Sequence, residues 1–151
     1  MNLRNYTSKV STERSTTAIE RLLADAGVTH IMRTYADKRL TGFVFSLVVS
    51  GRSITFKLPA NPAAVKNILA KEMKRPRPET LKRLQDQSER TAWKLLHEWV
   101  AIQISLIQMG QADAVQVFLP YAYDSLKNET IYERFKANGF KALTAGKEES
   151  K

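Results

Sequence analysis

The chain contains no cysteine and only two histidines, His30 and His97. Disulfides, thiolate metal sites and cysteine nucleophiles are therefore excluded, and so is a histidine-rich metal cluster. Long apolar runs are also missing. The longest, Trp99 to Ile107, is broken by Gln103 and Ser105 and falls far short of the roughly 20 residues that span a bilayer. Met1 to Tyr6 lacks the apolar stretch of a secretory signal, so a cytoplasmic location and no membrane partner are expected. Acidic side chains are in deficit, with 15 Asp and Glu against 24 Lys and Arg, a formal charge of +9. Such a surface attracts polyanions. Serines are plentiful, but no Gly-x-Ser-x-Gly elbow occurs, and Gly146-Lys147 lacks the rest of a phosphate loop. Nothing in the sequence points to a cofactor or a metal.

What is present suits one folded unit. The 151 residues are 43% hydrophobic and 26% charged, a balance that supports a core. Residues 1 to 10 are polar and aperiodic, whereas Ile19, Leu22, Leu23 and Ala26 recur at helical spacing, which predicts a helix over about 12–26 with Ser11 or Thr12 as cap. Thr29 to Tyr35 favours a strand, and Asp37-Lys38-Arg39 a loop. Two apolar alternations flank Ser50-Gly51, which predicts a hairpin pairing Val49 with Arg52, Leu47 with Ile54, Phe45 with Phe56 and Phe43 with Leu58. That register gathers the large apolar side chains on one face and leaves a mixed second face for solvent or a ligand.

Asn61-Pro62 opens a second helix carrying Val65, Ile68, Leu69 and Met73, expected to run to about Lys74. After the basic, proline-rich Lys74 to Pro78, a long helix from about Thr80 to Met109 is apolar around most of its circumference and should be the central element. Two short helices are expected at about 112–119 and from Thr130 to Asn138, joined by Tyr121, Tyr123 and Leu126 as packing residues. The predicted fold is α+β, a three-stranded antiparallel sheet packed on helices in α-β-β-β-α order, followed by the long helix and two short ones. One domain should cover 1–140, and 141–151 should be a flexible tail.

Nine basic residues, Lys66, Lys71, Lys74, Arg75, Arg77, Lys82, Arg83, Arg90 and Lys94, face only Glu72, Glu79, Asp86 and Glu89 over residues 66–94. Arg83, Arg90 and Lys94 share the polar stripe of the long helix, so this row and the second helix form a candidate phosphate-binding surface, with Arg90 central and exposed. The bland alternative is a solvated helical face. An aromatic such as Trp93 or a tyrosine is a candidate for stacking on a base, although tryptophans at such positions are more often core. His97 and Glu98 admit an enzymatic reading, although spacing within one helix shows neither nucleophile nor substrate contact. The leading expectation is a non-enzymatic binder of nucleic acid. The alternatives are a protein that sequesters a phosphate-containing nucleotide in a basic and aromatic pocket, and an enzyme using His97 and Glu98. A homo-oligomer sharing such a pocket between subunits is compatible with the one-sided sheet.

The helix, three strands, helix order over residues 12–74 resembles that of a double-stranded-RNA-binding domain, although the second helix lacks consecutive lysines at its start. Thr7-Ser8-Lys9-Val10-Ser11, Phe56-Lys57-Leu58-Pro59-Ala60-Asn61, Asp86-Gln87 with Arg90, Trp93 and Trp99, and Phe118-Leu119-Pro120-Tyr121 resemble a family of small basic proteins of bacteriophages and mobile elements. That resemblance spans about residues 7–140 and implies a viral setting, in which small proteins handle nucleic acid or blunt host defences by sequestering nucleotide signals.

Overall fold

The computed structural model describes residues 3–144 and 146. Most of the flexible tail expected over 141–151 lies outside the described residues. Helix α1 (Thr12–Asp25) starts where the Ser11 side chain accepts from the Arg14 amide. Strands β1 (His30–Ala36), β2 (Arg39–Val49) and β3 (Arg52–Lys57) form one antiparallel sheet in the order β1-β2-β3. Helices α2 (Pro62–Lys71) and α3 (Pro78–Gln108) follow, then α4 (Ala114–Phe118), a 3-10 turn (Leu119–Tyr121), a two-stranded ribbon of β4 (Tyr123–Asp124) and β5 (Glu129–Thr130), and α5 (Ile131–Ala137). The fold is α+β with a long central helix.

The β2–β3 hairpin has the expected register: Val49 faces Arg52, Leu47 faces Ile54 and Phe45 faces Phe56, while the Leu58 amide donates to the Phe43 carbonyl (2.9 Å). Its turn residues both take positive φ, 51° at Ser50 and 76° at Gly51, as a tight turn matched to strand twist requires. The β1–β2 connection is equally tight. Asp37 and Lys38 take φ of 49° and 64°, so Arg39 belongs to β2 rather than to the loop assigned to it from sequence.

Alternation along the strands then builds the core. Phe43, Phe45, Phe56 and Leu58 meet Ile19 and Leu23 of α1, Trp93, Leu96, Val100 and Ile104 of α3, and Phe118 of α4. Phe118 packs edge-on to Phe45 at 5.3 Å between ring centroids, which lets a five-residue helix close one end of the sheet. The core face also carries a charge, Arg33, whose guanidinium bonds Glu20 and lies 5.8 Å above the Phe43 ring. Pairing with Glu20 offsets the cost of taking that charge out of water. A second, smaller cluster sits on another face of α3, where Val65 and Leu69 of α2 meet Leu84 and Ala92, with Leu3 packed against them. Helix α3 is thus covered on two sides, as its near-continuous apolar circumference requires.

Several boundaries differ from the sequence reading. Helix α2 ends at Lys71 rather than near Lys74, and α3 begins at Pro78, which fits the first helical turn because its missing N–H has no partner there in any case. Leu126 is not a packing residue. It is 97% exposed at the tip of the β4–β5 ribbon, where the Asp124 side chain accepts from its amide (3.0 Å).

Candidate functional site

Helix α2 lies along the first half of α3, and the basic residues predicted from sequence are distributed over this helix pair. Lys66 and Lys71 project from α2, Lys74, Arg75 and Arg77 from the connection, and Lys82 and Arg83 from the first turns of α3. All but Lys66, which is half-buried, are exposed. None of the seven forms an ion pair among the described residues. Two of the four acids expected to offset them are engaged from the sheet. Arg39 Nη1 donates to Asp86 (3.0 Å) and Glu89 (2.8 Å), so a cation from β2 holds two of the four carboxylates of this segment. Those hydrogen bonds, that to Asp86 foremost, hold the Arg39 guanidinium above its usual pKa.

Arg90 is not the exposed centre of the row. Half-buried, it donates from Nε to the Ser8 carbonyl (3.3 Å) and from Nη2 to Gln87 Oε1 (2.6 Å). Gln87 Nε2 donates to the same Ser8 carbonyl (3.1 Å), and Thr91 Oγ1 donates to the Asn5 carbonyl (3.0 Å). The polar stripe of α3 therefore clamps the N-terminal segment, which a purely electrostatic view of the stripe does not anticipate. Lys94 stands farther along α3, beside His97 and Glu98.

Trp93 cannot stack on a ligand. Only 1% of it is exposed, and its ring packs on Phe43 at 6.3 Å, because it shares a helix face with Leu96 and Val100. The aromatic that does reach the basic region is Tyr6, 44% exposed. It lines a cleft of about 640 Å³ between the N-terminal segment, α2 and α3, together with Leu69, Met73, Leu84, Arg83 and Arg90. The sequence signal for this arrangement is Leu3 and Tyr6, the two apolar residues of the otherwise polar stretch 2–9.

His97 and Glu98 share no hydrogen bond among the described residues. The Glu98 carboxylate accepts from Arg4 Nε (2.6 Å), a bond that lowers its pKa, whereas His97 faces α1 among Arg14, Ala18, Leu22 and Asp25. Burial, reinforced by Lys94, lowers the His97 pKa.

No family model, curated protein or solved structure matches this chain. No helix among the described residues is long and apolar enough to cross a membrane. A functional reading rests on the geometry of the α2–α3 face.

Proposed function

We propose that this chain is a non-enzymatic nucleic-acid-binding protein whose interface is the basic face of α2, the connection to α3 and the first turns of α3. The observation that supports it is the set of seven basic side chains, Lys66 to Arg83, without an ion-pair partner among the described residues, while Arg39 engages Asp86 and Glu89. Cations without a partner break no existing ion pair on meeting phosphate and release condensed counterions when they do. Backbone contacts from Lys and Arg position a nucleic acid without reading its bases, so sequence selectivity from this face is weak. The viral setting suggested by the short sequence strings suits a protein of this kind.

Fluorescence anisotropy with a labelled oligonucleotide over a salt series tests the reading. Affinity should fall by roughly 50-fold or more between about 50 and 200 mM salt, the loss expected when about four phosphates of a single strand are neutralised. Absent binding at low salt, or binding indifferent to salt, overturns it.

A further inference from the structure

The basic face opens onto the cleft lined by Tyr6, and the cleft has a chemistry of its own. Its floor is apolar, made by Leu69, Met73 and Leu84, and its volume of about 640 Å³ lies in the range that holds one small ligand. Of the polar groups around it, Gln87 is spent on Ser8, Thr91 and Arg90, and one oxygen of Asp86 on Arg39. Arg83, Thr80 and Glu72 have no side-chain hydrogen bond among the described residues and remain available. A cleft joining an exposed phenol, an apolar floor, one free guanidinium and one free carboxylate is unsuited to a bare polyphosphate, which Glu72 would repel. It suits a planar ring that stacks, a single phosphate, and an amino group to satisfy the carboxylate.

We propose that this cleft takes one unpaired nucleotide, with its base against Tyr6 over Leu69, Met73 and Leu84, its phosphate on Arg83, and the amino edge of an adenine, cytosine or guanine toward Glu72. The inference rests on the nucleic-acid reading for the source of that nucleotide, which is a single strand tracking across the basic face. A free mononucleotide offers the same chemistry. Stacking on one aromatic is worth about 1–3 kcal/mol per base and is available only to an unpaired base, so the cleft confers preference for single strands over duplex. A carboxylate that accepts from the cytosine amino group discriminates it from thymine, which presents a carbonyl at that position. The clamp from Arg90, Gln87 and Thr91 to residues 5–8 positions Tyr6 at the cleft.

The test measures binding of oligo-dC, oligo-dT, a duplex and free CMP to the wild type and to Tyr6→Ala, Tyr6→Phe and Glu72→Gln, with thermal melts verifying that each variant folds. Expected are tighter binding of oligo-dC than oligo-dT, a loss of about 10-fold for single strands in Tyr6→Ala with duplex binding unchanged, near-wild-type behaviour of Tyr6→Phe, and loss of the dC over dT preference in Glu72→Gln. Tyr6-dependent binding of CMP that no oligonucleotide exceeds supports the cleft and overturns the strand reading. Salt-sensitive oligonucleotide binding that Tyr6→Ala leaves unchanged, or weakens equally for duplex, overturns the cleft while the basic face stands. No binding of any probe overturns both.

Discussion

Arg39 on β2 and Glu89 on α3 are joined at 2.8 Å across 50 positions of sequence, and this contact does more than tie sheet to helix. It withdraws a carboxylate from the row of lysines and arginines on α3. Arg39→Ala would release both Glu89 and Asp86 toward that row, Asp86 being three and four residues from Arg83 and Arg90. Nucleic-acid affinity should drop several-fold and recover when Asp86→Asn and Glu89→Gln are added, as read by anisotropy at fixed salt. The stability loss should be about 1–3 kcal/mol, because Glu89, only 14% exposed, loses its cation, whereas the exposed Asp86 adds little.

Phe45 is packed by aromatics from both sides of the fold, with Phe56 at 5.3 Å across the hairpin and Phe118 at 5.3 Å from α4. Phe45→Ala removes both contacts and leaves a cavity between sheet and helix. Chemical denaturation should register a loss of about 3–5 kcal/mol.

The β2–β3 turn places Ser50 at a φ of 51°, a conformation that costs an ordinary side chain and that asparagine or glycine adopts more readily. Ser50→Gly is expected to stabilise the protein or leave it unchanged, whereas Gly51→Ala, at a φ of 76°, should cost about 1 kcal/mol. Melting temperatures of the two variants should therefore separate in opposite directions or around an unchanged Ser50→Gly.

Acidification should act through His97. Its pKa is lowered in the folded protein by burial and by Lys94, so folding favours the neutral ring. The resulting stability is fully present above the ordinary histidine value of about 6.5 and is lost as pH falls below it toward the folded value. The charged side chains of α1 around the ring, Glu13, Arg14, Arg21 and Asp25, are the same in His97→Gln and the wild type. Melting temperature should therefore decline less between about pH 7 and 5 in that variant than in the wild type. A second decline at lower pH, set by Glu98 and its bond to Arg4, should persist in both.

Local patterns made much of the fold legible. Ser11, Asn61 and Thr130 each cap the helix they were expected to start, and alternation around Ser50-Gly51 determined which hairpin side chains share a face. The β4–β5 ribbon was not legible, because two-residue strands carry no period and Tyr123 and Leu126 resemble packing residues when read without their turn. The site was legible only as charge. Composition revealed the basic segment, but not that Arg39 would reach Asp86 and Glu89, since that pairing depends on where the sheet lies against α3. The stacking role considered for Trp93 fails because its indole faces the core, and helical spacing alone does not separate a core-facing indole from one at the rim. Tyr6 went unremarked because its position depends on hydrogen bonds from Gln87, Arg90 and Thr91, all more than 75 residues away.

Whether the α2–α3 connection touches phosphate is read most directly from the slope of log affinity against log salt for two variants of equal charge change. One neutralises Lys74, Arg75 and Arg77 to glutamine, and the other does the same to Lys127, Lys136 and Lys141, all exposed and outside the basic face. If the connection is the interface, the slope should be shallower by about 2 for the first variant, roughly 0.7 for each of about three phosphates of a single strand no longer neutralised, and unchanged for the second. Equal slopes for the two variants, whether both unchanged or both reduced, would contradict a phosphate-binding role for this connection.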